Sequence, residues 1–304
     1  MGRLIAAADI GSNTAHLLVA HVTPNGLKRL VNESDWLSLG EVVTRRGTIP
    51  PEDRKNLFAT LKRFKEILVT YKVEEHYIFA TEAMRRADNH DLILREAAEK
   101  FQLNIDIISP QREAELSYIA AQVDCPGPDP ILLVEAGGGS VQVAFCQAGV
   151  IERETSLPIG TGALTAASGL TYPATDAQEK RLRNLLFEAL TKINDFPTPA
   201  RIVSAGGVAR GLWRALHPDG DRNLHAQELA FLAWDCRRLS PETIVSRYDV
   251  KVNRARTLLP GSLIFGQILA HFGLSEMTVS QYGVREGAVL EMAQKGGEKW
   301  LSTN

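Results

Sequence analysis

Two segments of this chain read as the same object. ADIGSNTAHLLVAH (residues 8–21) lies over VEAGGGSVQVAFCQ (residues 134–147) at an offset of 126 residues. Asp9 then falls on Glu135, Gly11 on Gly137 and Thr14 on Ser140. Both copies read strand, carboxylate, small-residue turn, hydroxyl, alternating strand. A duplication of this kind predicts two similar α/β lobes, each presenting one glycine turn to a shared cleft. The 304 residues are enough chain for two such lobes, each with its own core.

Glycine costs backbone entropy on folding, so Gly137, Gly138 and Gly139 in succession need a reason. Backbone N–H groups on such a turn can converge on an anion, because no Cβ blocks the approach. The carboxylates of Asp9 and Glu135 would repel phosphate on their own. A divalent cation reverses that sign, since it binds carboxylate and phosphate oxygens together. The plainer reading is two hairpin turns with incidental acids, and both readings stand at this point.

The rest of the chain alternates between strand and helix signals. Strands are expected at 4–10, 15–21, 76–80, 104–108, 131–136, 140–145, 150–157 and 277–281. A turn is expected at Pro24-Asn25-Gly26. Helices are expected at 51–71, 90–101, 111–122, 176–194, 207–216, 225–236, 240–247 and 260–273, and from about 285 onward. CPGPDP at 125–130 is dense in breakers and marks the lobe boundary. This division gives an N-terminal lobe over 1–124, a C-terminal lobe over 125–284, and a last helix, 285–304, packing back on the first lobe.

Composition removes several function classes. A net charge of −2 carries no global nucleic-acid signal. No apolar run approaches the length of a membrane span, and the N-terminus lacks the pattern of a signal peptide. Cys125, Cys146 and Cys236 are scattered, which suits reduced thiols in a cytoplasmic protein. The seven histidines are not grouped at metal-ligand spacing.

The segments DIGSNTAHLLV, ATEAMRRADN, ISPQREAE, VEAGGGSVQV, SLPIGTGAL, SAGGVARGL and YGVREGAVLE occur in that order. Together they resemble the motif series of the exopolyphosphatase / guanosine pentaphosphate phosphatase (Ppx/GppA) family, in its short two-lobe form, over roughly residues 4–293. The resemblance implies two ribonuclease H-like lobes around a cleft, in the superfamily of actin, sugar kinases and heat-shock chaperone ATPases. It implies a first phosphate loop of Gly11, Ser12, Asn13 and Thr14, and a second of Gly137, Gly138, Gly139 and Ser140. Gly206 and Gly207 would line the second lobe's side of the cleft. Arg85, placed as in the family's ATSAxRxAxN motif, would bind the terminal phosphate, and Glu113, the last glutamate of SGxEEA, would be the general base. Asp9, Glu135 and Gln142 would stand at a Mg²⁺ or Mn²⁺ site. The implied activity is hydrolysis of a phosphoanhydride: terminal phosphate from inorganic polyphosphate, or the 5′-phosphate of guanosine pentaphosphate. The implied partners are polyphosphate or guanosine penta- and tetraphosphate, without nucleic acid or membrane, and the implied assembly is a homodimer.

Read from the residues alone, Glu113 and Glu115 also suit the first turn of a helix, and Arg85-Arg86 also suits a solvated pair. The chain departs from the family pattern at the second loop. Where the family has Asp-x-Gly-Gly-Gly-Ser-Thr-Glu, this chain has Glu135 at the first position and Gln142 at the last. Pro110 and Arg112 replace the glycine and first glutamate of SGxEEA, and Val208 follows Gly206-Gly207. These changes leave phosphate binding intact and alter the metal site. A second reading is therefore a catalytically weak polyphosphate or alarmone sensor, and a third is a small-molecule kinase of the same superfamily. Residues 237–256 concentrate Arg237, Arg238, Arg247, Lys251, Arg254 and Arg256, as a solvated helix face or a polyanion track.

Overall fold

The computed structural model describes residues 3–23 and 26–296. The chain divides into two compact units: one holds the chain up to Ala120 and from Val284 onward, the other Ala121–Gly283.

The first unit is built from strands β1 (Arg3–Ile10), β2 (Thr14–Thr23) and β3 (Gly26–Trp36), then helices α1 (Leu39–Arg46) and α2 (Pro51–Thr70). Strand β4 (Glu75–Ala80), helices α3 (Glu82–Arg86) and α4 (His90–Phe101), strand β5 (Asp106–Ile107) and helix α5 (Pro110–Asp124) follow, with α5 running on into the second unit. The sheet order is β3-β2-β1-β4-β5, with β1, β4 and β5 parallel and β2 and β3 antiparallel. Strand β1 is apolar on both faces because both are covered: Ile5, Ala6, Ala7, Ala8 and Ile10 are fully buried. One face packs on Leu39, Leu57, Leu61, Phe64 and Ile93 of α1, α2 and α4. The other packs on Leu116 of α5 and on the last helix, which contributes Val284, Ala288, Val289 and Met292. That helix lies so close to α5 that a Cβ on Gly287 would sit 1.8 Å from the Leu116 carbonyl oxygen.

The second unit contains β6 (Ile131–Ala136), β7 (Val141–Gln147), β8 (Val150–Leu157), α6 (Thr161–Ser168), α7 (Asp176–Leu190), β9 (Arg201–Ala205) and α8 (Gly206–Leu216). It continues with β10 (Asn223–His225), α9 (Ala226–Cys236), α10 (Pro241–Tyr248), α11 (Val252–Phe272) and β11 (Glu276–Val279); α12 (Val284–Lys295) then returns to the first unit. Its sheet order is β10-β11-β9-β6-β7-β8. Read from the other end, β8-β7-β6-β9-β11 repeats β3-β2-β1-β4-β5, with β10 added at the edge. The hairpin duplication seen in the sequence is thus the start of a duplicated sheet. No helix among the described residues is long and apolar enough to cross a membrane.

Several elements differ from the sequence expectation. Strand β3 was not expected; it is an edge strand whose side chains are mostly solvated, so Lys28, Arg29, Asn32, Glu33 and Asp35 hide its period. Pro24 and Asn25 of the expected turn lie outside the described residues, as do 297–304 of the expected last helix. The expected strand at 104–108 shortens to Asp106–Ile107. Strands β9 and β10 and helices α1, α3 and α6 were also absent from the expectation. Helix α11 starts at Val252, eight residues before the expected start at Pro260, which sits buried inside it. Burial of Leu258, Leu259, Leu263 and Ile264 carries the helix through the proline.

The basic segment 237–256 keeps Arg238, Arg247, Lys251 and Arg256 exposed, as expected of a solvated face, but several of its arginines are paired. Arg237 pairs with Asp176 at 2.7 Å and with Glu179, and the Arg238 guanidinium stacks 3.3 Å from the Trp234 ring centroid. Arg247 donates to both oxygens of buried Asp235 at 2.7 Å, and Tyr248 donates to the same carboxylate at 2.9 Å. Burial alone would raise the Asp235 pKa; the hydrogen bonds from Arg247 and Tyr248, with the charges of Arg247 and Arg238, outweigh it and hold the carboxyl below its ordinary value. A depressed folded-state pKa means stability that is present above the unfolded value, about 3.9, and lost as pH falls through the folded one. Asp235→Asn is expected to cost about 2 kcal/mol at neutral pH. Urea denaturation across pH should show wild type and variant converging in acid; a gap independent of pH would detach this network from stability.

Candidate active site

Parallel strands put their carboxyl ends on one edge of a sheet, where ligands of open α/β sheets bind. In the first unit Ile10 pairs with Ala80 and Ala80 with Ile107, so β1, β4 and β5 end level with one another. Just beyond those ends come the Gly11–Thr14 turn, α3 with Arg85, and the first turn of α5 with Glu113. In the second unit Glu135 pairs with Ala205 and Ser204 with Val279, so the Gly137–Ser140 turn and Gly206-Gly207 also share an edge.

The two turns are the same in detail. Gly11 N–H donates to the Thr14 carbonyl at 2.9 Å, and Gly137 N–H donates to the Ser140 carbonyl at 2.8 Å. In each hairpin the carboxylate faces a polar residue across the ladder: Asp9 opposite His16, Glu135 opposite Gln142. Each turn is also buttressed by the segment that follows the third strand. In the first, Gly40 N–H donates to Ser12 O at 2.7 Å, and Leu37 and Ser38 donate to Asn13 O at 2.8 and 3.0 Å. In the second, Gly160 donates to Gly139 O at 3.1 Å, Thr161 to Gly137 O at 3.0 Å and Gly162 to Gly138 O at 2.8 Å. The unpaired N–H groups at a helix start are thereby satisfied by turn carbonyls.

This buttressing explains the glycine triplet. A trans peptide holds C=O and N–H on opposite sides of one plane. With the carbonyls of Gly137, Gly138 and Gly139 turned toward the start of α6, the N–H groups of Gly138, Gly139 and Ser140 turn the other way together. That is an anion cradle made of backbone. At the second turn the contact is backbone to backbone, since a Cβ on Gly160 would lie 2.5 Å from Gly138 C and Ser140 N; at the first, a Cβ on Gly40 would lie 2.7 Å from the Ser12 side-chain Cβ. Gly40 and Gly160 are site residues that reading for chemistry missed. The signal was present in SLG (38–40) and PIGTG (158–162), but small residues at a packing contact carry no chemical signature.

Arg85 and Glu113 come together. The Arg85 guanidinium donates to Glu113 Oε2 at 2.9 Å and also to the Ile108 carbonyl oxygen, and both side chains are about one-fifth exposed. Arg86 points elsewhere, half exposed and 3.6 Å from Glu82 one helical turn back. Arg112 is occupied structurally, donating to Glu115 at 3.1 Å and to Glu291 of α12.

In the second unit, Gly206 adopts φ +85° and a Cβ there would meet Glu135 Cγ and Oε1 at 3.0 Å, so only glycine lets that carboxylate rest against the start of α8. Arg254, read from sequence as one more cation of a basic run, turns inward and donates to Gly207 O at 3.0 Å. Burial, reinforced by the charge of Arg214, lowers its pKa below that of an ordinary guanidinium. It adds a cation to the Gly206-Gly207 turn.

Among the described residues no three His, Cys, Asp or Glu side chains cluster at metal-binding spacing. Asp9 Oδ1 would lie 3.9 Å from a Cβ on Gly11, so each turn has one carboxylate beside it. Hard oxygen donors of this kind suit Mg²⁺, which binds through one or two carboxylates and completes its shell with water and substrate phosphate.

Two lobes of one topology, each with a glycine turn and a carboxylate at the carboxyl ends of its parallel strands, define a duplicated ribonuclease H-like α/β protein. The chain belongs to the Ppx/GppA phosphatase family, whose family model matches residues 18–296. It is similar to the crystal structure of the Aquifex aeolicus Ppx/GppA family member, with a TM-score of 0.89 at 26% identity over 98% of this chain and 99% of that one. A putative exopolyphosphatase of Haemophilus influenzae is 24% identical over 95% of this chain and 91% of its own length. Exopolyphosphatase 1 of Mycobacterium tuberculosis is 24% identical over 94% of this chain and 87% of its own length. A bifunctional 3-dehydroquinate synthase/phosphatase of Fusobacterium nucleatum is 24% identical over 95% of this chain, which spans 46% of that longer protein.

Proposed function

We propose that this chain is a metal-assisted phosphoanhydride hydrolase that releases terminal phosphate from inorganic polyphosphate, the 5′-phosphate of guanosine pentaphosphate, or both. The carrying observation is the Arg85–Glu113 pair, held at the same sheet edge as the Gly11–Thr14 turn. The names of the exopolyphosphatase relatives favour polyphosphate.

In this reading the turn N–H groups hold phosphate oxygens and Arg85 binds the terminal phosphoryl group through two oxygens. Water attacks the terminal phosphorus, the bridging P–O bond breaks, and Glu113 accepts the water's proton late in the reaction. Asp9 in the first unit, and Glu135 with Gln142 as a neutral oxygen in the second, are the residues that would bind Mg²⁺ or Mn²⁺ beside their own turns. When bound, the cation neutralises phosphate charge. Three buried free thiols favour a reducing, cytoplasmic setting.

One observation favours the rival reading of a weak or inactive binder: neither residue opposite a turn carboxylate, His16 or Gln142, is itself a carboxylate. A panel of polyphosphate, guanosine pentaphosphate and ATP plus sugars with Mg²⁺ separates hydrolase, binder and kinase by phosphate or ADP release. On the same panel Arg85→Ala should weaken substrate binding about tenfold or more while Arg86→Ala changes it little. Equal small effects would remove Arg85 from the site.

A further inference from the structure

Each turn carries a hydroxyl that the side chain two residues further along reaches: Thr14 and His16 both lie on β2, while Ser140 stands just before β7, which carries Gln142. Thr14 Oγ1 lies 2.8 Å from His16 Nε2, and the Gln142 amide nitrogen lies 3.4 Å from Ser140 Oγ. Residues two apart on a strand share a face. His16 and Gln142 also occupy the same register, directly opposite Asp9 and Glu135. The arrangement has therefore survived twice in one chain with different chemistry, imidazole in one copy and amide in the other. Imidazole and amide share little except a nitrogen at the right reach for a hydroxyl oxygen.

We infer that His16 and Gln142 are positioning residues that fix the hydroxyls of Thr14 and Ser140 toward a phosphate in the turns. The inference rests on reading those turns as phosphate sites. A hydroxyl has one donor and two acceptor positions and rotates freely unless something holds it. The bond to the neighbouring side chain uses one position and sets the remaining ones, so the hydroxyl meets the anion without first losing its rotational freedom. This gives Gln142 a task beside metal ligation: its amide N–H faces the Ser140 hydroxyl oxygen and leaves the hydroxyl proton for phosphate.

The test uses the whole protein with polyphosphate as substrate and isothermal titration with polyphosphate in the absence of turnover. His16→Leu should weaken polyphosphate binding and raise KM about tenfold, with kcat changed less than twofold, and Gln142→Leu should weaken polyphosphate binding by a similar factor. Thr14→Val should match His16→Leu, and the double variant should be no worse than either single one, because both remove the same interaction. His16→Gln, which copies the second turn into the first, should recover most of the affinity lost in His16→Leu. Thermal melting of each variant separates this from unfolding: a leucine variant that loses affinity only in step with its melting temperature overturns the inference. Additive effects of Thr14→Val and His16→Leu, or no recovery in His16→Gln, overturn it as well. Wild type that neither binds nor cleaves polyphosphate or guanosine pentaphosphate would instead sink the reading of the turns.

Discussion

Glu113→Gln is expected to lower turnover about 100-fold while KM stays level or falls. Glutamine keeps the shape of the side chain and can still accept from Arg85, whose guanidinium now lies 2.9 Å from Glu113 Oε2. What it loses is the ability to take a proton from water. It also frees Arg85 from a competing charge, which moves phosphate affinity upward if at all. The alternative role, a first-turn glutamate that favours the helix dipole, predicts a modest change in melting temperature and normal turnover. Steady-state kinetics together with a melting curve distinguish the two, and near-normal turnover would remove Glu113 from the chemistry.

Gly160→Ala is expected to cost at least about 100-fold in kcat/KM, although residue 160 carries no chemical group and touches no substrate. The added methyl would lie 2.5 Å from two backbone atoms of the second turn, and backbone cannot swing aside as a side chain does. Either the turn shifts or α6 retreats; both break the bonds that aim the N–H groups of Gly138, Gly139 and Ser140 in one direction. Overpacking of this kind also costs about 1–3 kcal/mol in stability. Gly266→Ala, where nothing lies within 4 Å of the new Cβ, is the control. Activity of Gly160→Ala equal to that control would show that the turn does not depend on its buttress.

Both expectations concern residues of different legibility. Glu113 and Arg85 were singled out through the motif series; as residues alone they also suited a helix first turn and a solvated pair. That they meet was not readable: the contact joins α3 to α5 through the end of β5, and nothing within either segment specifies the other. The hairpins were readable as a pair because a strand-turn-strand unit is local, and its register follows from alternation and turn length. Gly40 and Gly160 were not, since their role is an absence of atoms that matters only once another backbone lies against them. Strand β3 escaped because one exposed edge strand has little apolar period to show.

Pro260 shows the limit most plainly. Proline favours a helix start, and the local rule placed one there. In the folded unit the helix begins earlier, because burying Leu258, Leu259, Leu263 and Ile264 outweighs one missing hydrogen bond. That shift brought Arg254 inward to donate to the Gly207 carbonyl, which takes it out of the exposed basic run. Local chemistry, carried by side-chain type and short-range period, was sufficient to find the two turns, their acids and the duplicated hairpin. Which of those groups are brought together, and which arginines are already committed to Asp176, Glu179 and Asp235, depended on packing between segments far apart in the chain. Packing is a property of the whole fold: its energy comes from buried area and paired charges that no single segment contains.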